Sequence, residues 1–271
     1  MTDTLLFSQT QSFLMALAYT QPRILALFIA LPIFNRQLVP GLLRVGIALA
    51  LGALVAPRLM GEAAAVDLVA TQVPMVILKE AFVGFVLGHL IAIPFWAFEA
   101  VGFFIDNQRG ASVAATLNPL TGNDTSPLGI LFNQAFIVFF FVSGGFLLML
   151  GLLYDSFALW PVFDWAPTLH ADSVPLWLAQ LDRMVRIALV LSAPAIVAMF
   201  LAEIGLALIS RFVPQLQVFF LAMPIKSAIA ILVLMVYMAS LFEYGVAYVQ
   251  DLKGSLPFLN GLWAAPAGAA R

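Results

Sequence analysis

From Thr125 to Tyr154 the chain carries no Asp, Glu, Lys or Arg. A charge-free run of this length exceeds the roughly 20 apolar residues that a helix needs to cross a bilayer. It far exceeds a strand, and it lacks the ten-residue alternation of a membrane barrel. The rest of the sequence agrees. Of 271 residues, 63% are hydrophobic and 10% are charged, with a mean hydropathy of +1.05. Soluble domains carry about 25% charged residues, so this chain has too few to cover a water-facing surface. It reads as an all-α integral membrane protein.

Five further apolar stretches accompany the first. They are Thr4 to Pro22 (continuing past Arg23 to Ile33), Leu38 to Met60, Leu68 to Ile105, Val174 to Ile209, and Val218 to Val249. Pro74 and Pro94 are the expected breaks in the third of these six spans, because proline removes a helix hydrogen bond. Six hydrophobic helices over residues 1–253 are expected to form one domain, followed by a tail at 254–271. The first basic residue is Arg23, so a positively charged leader is not expected. The stretch from Tyr154 to Pro175 holds Asp155, Asp164 and Asp172 but no Lys or Arg, and it carries Trp160 and Trp165. The positive-inside bias places it outside, with the loops of Arg36, Arg109 and Arg211 inside.

Several function classes drop out. Net charge is −2, so there is no basic footprint for nucleic acid. There is no cysteine, and the two histidines, His89 and His170, are far apart; no metal site and no cofactor are expected. The motifs of zinc proteases, serine hydrolases and phosphate-binding loops are missing. The chain reads as a non-enzyme.

What remains is charge inside apolar sequence. Arg23, Arg44, Glu80, Glu99, Glu203, Lys226 and Glu243 fall in or beside the spans, where each centred charge costs about 2.5–3.5 kcal/mol. They form either a polar pathway or contacts with other subunits, unless they snorkel or pair internally, as Asp182 and Arg186 would at i,i+4. Glu99 and Glu203 lie deepest and read as buried contacts. Gly84 and Gly88 fit the small-xxx-small pattern of close helix packing.

Two segments stand out. Phe104 to Leu128 is small, polar and rich in turn formers between two very apolar helices. It is either a connector or a re-entrant element against a water-filled cavity, since irregular backbone is not tolerated against lipid. Ile209 to Lys226 is a helical hairpin whose turn is bracketed by Pro214 and Pro224.

The same segments carry a resemblance. Ile93-Pro-Phe-Trp-Ala-Phe-Glu-Ala-Val-Gly-Phe-Phe-Ile-Asp-Asn-Gln-Arg-Gly-Ala111, then Leu117-Asn-Pro119 and Thr125-Ser-Pro127, resemble the T subunit of the type III secretion export apparatus. This family is called SctT, YscT or HrcT, with flagellar FliR as a relative. Phe200-Leu-Ala-Glu-Ile-Gly-Leu-Ala-Leu-Ile-Ser-Arg-Phe-Val-Pro-Gln215 and Leu221-Ala-Met-Pro-Ile-Lys-Ser227 match the same family, as does the turn from Arg36 to Arg44.

The resemblance implies a structural and gating subunit of a protein-export channel in the bacterial inner membrane, within the secretion basal body. Its implied partners are SctR and SctS, with five R, four S and one T copy in a helical assembly. SctU and SctV, the inner rod and needle base, and unfolded exported proteins complete the set. The family's helices ride partly above the membrane plane. The loop built from Asp106, Asn107, Gln108, Arg109, Gly110, Ala111, Ser112, Asn118, Pro119, Gly122, Asn123, Asp124 and Ser126 is implied to be a channel plug. Arg211, Pro214, Gln215, Gln217, Pro224 and Lys226 are implied to form a cytoplasm-facing hairpin tip. A small secondary transporter or ion channel using Glu99, Glu203 and Lys226 is the rival reading.

Overall fold

The computed structural model describes residues 2–35, 39–65, 71–110, 126–164, 174–213, 218–251 and 254. Among these the chain is all α, with no strand. The helices are α1 (Thr2–Ala30), α2 (Gly41–Ala65), α3 (Val73–Arg109), α4 (Pro127–Val142), α5 (Gly145–Leu159), α6 (Val174–Phe212) and α7 (Val218–Asp251), with a short 3-10 turn at Pro32–Phe34 after α1. Five are long and apolar enough to cross a membrane, and α4 with α5 make a sixth candidate as a broken pair. The protein is a multi-pass membrane protein.

Three expectations change. The charge-free run is two helices, not one. Gly144 adopts φ +79, a left-handed conformation that glycine tolerates and that ends α4, while Ser143 N–H still bonds back to the Phe139 carbonyl at 2.8 Å. Neither expected break in the third span occurs. Pro74 lies in the first turn of α3, where its missing N–H has no intrahelical partner to lose, and Pro94 sits inside an unbroken helix. Apolar helices accommodate such prolines because neighbouring helices satisfy the freed groups. Likewise Pro224 lies inside α7 and does not bracket the hairpin turn.

Length matters for position. Helices α3 and α6 have 37 and 39 residues, about 55 Å or more at 1.5 Å per residue. The hydrocarbon core is about 30 Å thick, so part of each helix extends beyond it at any ordinary tilt.

The chain divides into two compact units, and the division falls within α3 between Ala92 and Ile93. The first contains Met1–Ala92, Gly145–Val174 and the C-terminal segment. Here α1 packs on α2 and also on the first half of α3. The Gly84–Gly88 pattern does what its spacing predicts. A Cβ at Gly84 would collide with the Arg23 carbonyl, and one at Gly88 would stand 2.7 Å from the Leu27 carbonyl oxygen. The two backbones touch because these side chains are absent.

The second unit contains Ile93–Gly144 and Pro175–Gln250. Its centre is aromatic. Phe136 meets Phe95 edge-on at 4.8 Å and stacks on Phe98 at 4.4 Å, while Phe139 reaches Phe242 on α7 at 5.4 Å. Such pairs add about 0.5–1.5 kcal/mol each beyond the area they bury. Gly102 lies so close to Leu128 and Gly129 that α3 and the start of α4 pack backbone to backbone.

Candidate functional site

Among the described residues, four groupings of polar side chains stand out within the apolar helices. The most enclosed is in the first unit. Arg23 on α1 donates through Nε and Nη2 to both carboxylate oxygens of Glu80 on α3, at 2.7 and 2.9 Å. Neither side chain is exposed. Arg23 also donates to Ser156 Oγ at 3.2 Å and to the Trp160 carbonyl at 2.8 Å, and its guanidinium lies 4.2 Å over the Phe157 ring. Lys79, beside Glu80 at 3.0 Å, donates to the carbonyls of Pro161, Val162 and Asp164 at 2.7–3.0 Å. The two cations thus satisfy backbone oxygens just past the end of α5, where helix carbonyls lack partners and the dipole is negative.

Sequence reasoning named Arg23 and Glu80 singly, as charges that would snorkel, pair internally or meet other subunits. What it missed is their meeting. The available signal was sparse charge itself: with so few ionisable groups in α1 and α3, Arg23 and the Lys79–Glu80 pair are natural partners.

The second place joins the end of α3 to the start of α4. Asp106, on the last turns of α3, accepts from Ser126 Oγ at 2.6 Å and from the Leu128 N–H at 3.0 Å, and pairs with Arg109 at 2.7 Å. Ser126 is the N-cap of α4 and accepts from the Gly129 N–H at 2.8 Å. Pro127 at the first helical position completes a conventional helix start. Gly110 ends α3 with φ +86. Of the expected plug residues, Asp106, Asn107, Gln108, Arg109, Gly110 and Ser126 are placed, while Ala111, Ser112, Asn118, Pro119, Gly122, Asn123 and Asp124 lie outside the described residues.

The third place holds Glu99, which accepts from Asn133 Nδ2 on α4 at 2.6 Å and is exposed within the chain. The fourth is the ion pair of Glu203 with Lys226 at 3.2 Å, between α6 and α7. Lys226 is buried and belongs to the helix body, not to a hairpin tip. Glu203 keeps 47% of its side-chain area exposed. Neither glutamate is buried by this chain alone. Arg211 is in the exposed last turn of α6, and Pro214, Gln215 and Gln217 lie outside the described residues. The expected Asp182–Arg186 pair forms at 3.2 Å on an exposed helix face.

Chemically these groups close on one another. Among the described residues no cluster of three His, Asp or Glu side chains is placed to hold a metal. The arrangement fixes helix ends and helix pairs.

Residues 14–252 match the profile of the bacterial export proteins, family 1. The chain belongs to that family. It is 44% identical over 224 residues to the Yop proteins translocation protein T of Yersinia pestis, covering 82% of this chain and 85% of the relative. It is 35% identical to the surface presentation of antigens protein SpaR of Salmonella typhimurium, over 79% of this chain and 80% of SpaR. It is also 30% identical to the flagellar biosynthetic protein FliR of Bacillus subtilis, over 81% and 85%. All four polar places fall within the span matched to this family of export proteins.

Proposed function

We propose that this chain is the T-type subunit of a type III protein secretion apparatus, acting as a structural and gating part of the export channel in the bacterial inner membrane. The observation that carries the reading is the match to the export family over nearly the whole helical part of the chain, residues 14–252. The partners we assign are SctR and SctS in the ratio five R, four S and one T, with SctU and SctV beside them, the inner rod and needle base above, and unfolded proteins as cargo. Residues 1–253 serve as one functional unit in this reading.

Within that unit, residues 106–126 act as the plug. The clasp of Asp106 with Ser126 supports this role, because it fixes both stems of the segment to the ends of α3 and α4. The α6–α7 hairpin tip around Arg211 faces the cytoplasm, and Glu99 and Glu203 contact neighbouring subunits. A transporter would keep its charged groups along a path. Glu203 and Lys226 instead neutralise each other, which favours the apparatus.

Native mass spectrometry of the detergent-extracted protein tests the proposal. The expected result is one copy of this chain with several copies of two unlike small membrane proteins. A monomer or homo-oligomer that retains full protease resistance would overturn it.

A further inference from the structure

The surface around Glu99 is built in an unusual order. Its carboxylate is exposed on α3 and bonded to Asn133 at 2.6 Å. On α4, Ile130 stands one turn before Asn133 and is exposed. Phe103, one turn along α3, is 43% exposed, and Ile130 is 44% exposed. The face therefore holds one carboxylate and one amide flanked by exposed apolar side chains, on α3, which is long and apolar enough to cross a membrane, and on α4, which qualifies only together with α5.

Lipid does not suit this face, because an ionised carboxylate against hydrocarbon costs several kcal/mol. The wall of a water-filled channel does not suit it either, since large apolar side chains, Phe103 and Ile130, flank the polar pair. A packed helix suits both parts, with its apolar surface on the flanking side chains and a donor at the carboxylate. The kind of donor follows from charge. Glu99 already has a neutral donor in Asn133, yet it takes part in none of the ion pairs among the described residues. In the same unit Asp106 holds Arg109, Asp182 holds Arg186 and Glu203 holds Lys226. The other described acid of the unit, Glu243, sits in the outer turns of α7.

We infer that Glu99 is the docking point of an apolar helix from an unlike subunit, and that this helix brings a Lys or Arg side chain to the carboxylate. The inference rests on the apparatus reading above and names the chemistry of one of its contacts. A buried pair stripped of one partner leaves an uncompensated charge, so losing the Glu99 charge should strongly weaken assembly.

Glu99→Gln tests this, because glutamine keeps the shape and still accepts from Asn133. In membranes holding the whole apparatus, it should lower recovery of the extracted complex by about tenfold or more, with chain abundance unchanged. In parallel, the wild-type complex is treated with a water-soluble carbodiimide plus glycine ethyl ester, and separately with lipid-soluble dicyclohexylcarbodiimide. Glu99 should be protected from both in the complex and modified in membranes containing this chain alone. Modification in the complex by the water-soluble reagent means a lumen-facing carboxylate, and by the lipid-soluble one a lipid-facing carboxylate. Either result overturns the inference, as does a Glu99→Gln complex recovered at the wild-type level. If the wild-type chain carries no unlike subunit at all, the apparatus reading falls and this one with it.

Discussion

Arg23 and Glu80, 57 positions apart, meet in a bidentate ion pair in which neither side chain has any exposed surface. Taking two charges out of water is expensive, and the remaining hydrogen bonds decide whether the pair is tolerable. Here they are supplied. Ser156 and the Trp160 carbonyl take two of the three remaining guanidinium protons, and Lys79 stands on Oε1 of Glu80. Three segments distant in sequence are tied at one point.

The asymmetry of that knot orders its mutants. Arg23→Met leaves Glu80 with Lys79 as a cation partner. Glu80→Leu leaves two cations with no anion between them. Single removal of a buried ion-pair member costs about 3–5 kcal/mol, and Glu80→Leu should lie at the upper end, above Arg23→Met. The double variant should cost less than the sum of the two singles. Thermal unfolding in detergent, followed by helical circular dichroism, reads all three. Equal losses for the two single variants would refute the shared-anion arrangement.

Gly84 and Gly46 make a matched pair of opposite sign. A Cβ at Gly84 would overlap the backbone of α1 at Arg23, whereas nothing stands within 4 Å of one at Gly46. Gly84→Ala should therefore destabilise by well over 1 kcal/mol, since backbone on backbone gives no room to adjust. Gly46→Ala should be neutral or stabilising by up to about 1 kcal/mol through helix propensity. The same unfolding measurement checks both. A tolerated Gly84→Ala would mean that α1 does not pack on α3 as described.

Much of this fold was legible because it follows from composition. Apolar runs of helical length gave the all-α membrane class, and Gly84-x-x-x-Gly88 gave a packing contact that forms as expected. Helix breaks were not legible. Proline signals a break only where its missing hydrogen bond matters, and Pro74, at a helix start, and Pro94, among apolar neighbours, do not interrupt α3. The real break, at Gly144, was hidden in a charge-free run. The polar contacts were half legible. Asp182–Arg186 is local and was read from spacing, while Arg23–Glu80 needs the tertiary fold to bring α1 and α3 together. The segment after α3 was seen as polar, but not that Asp106 accepts from the first turn of α4.

The acidic stretch past α5 and the end of α6 should lie on opposite sides of the membrane, with Asp164 periplasmic and Val213 cytoplasmic by the bias of basic residues. The chain has no cysteine of its own, and both positions are exposed. Single substitutions Asp164→Cys and Val213→Cys can be probed with a membrane-impermeant maleimide on intact cells and after lysis. Labelling of Asp164→Cys on intact cells, with Val213→Cys labelled only after lysis, is the expected result. The reverse pattern would invert the orientation.

The proposed plug role of residues 106–126 yields a prediction that separates sealing from assembly. The stems of the segment are held by groups outside its middle: Asp106 accepts from Ser126 and from the Leu128 N–H, and the Ser126 cap holds the Gly129 N–H. Behind them, Phe136 packs on Phe95 and Phe98. A deletion confined to Ala111 to Gly122 touches none of these contacts, so α3 and α4 should keep their packing. The variant should therefore assemble at near wild-type yield while the membrane becomes permeable to small ions and dyes. Complex recovery and dye entry are measured on the same cells. Normal assembly with an undiminished seal would make the segment a connector, and loss of assembly would make it a structural element.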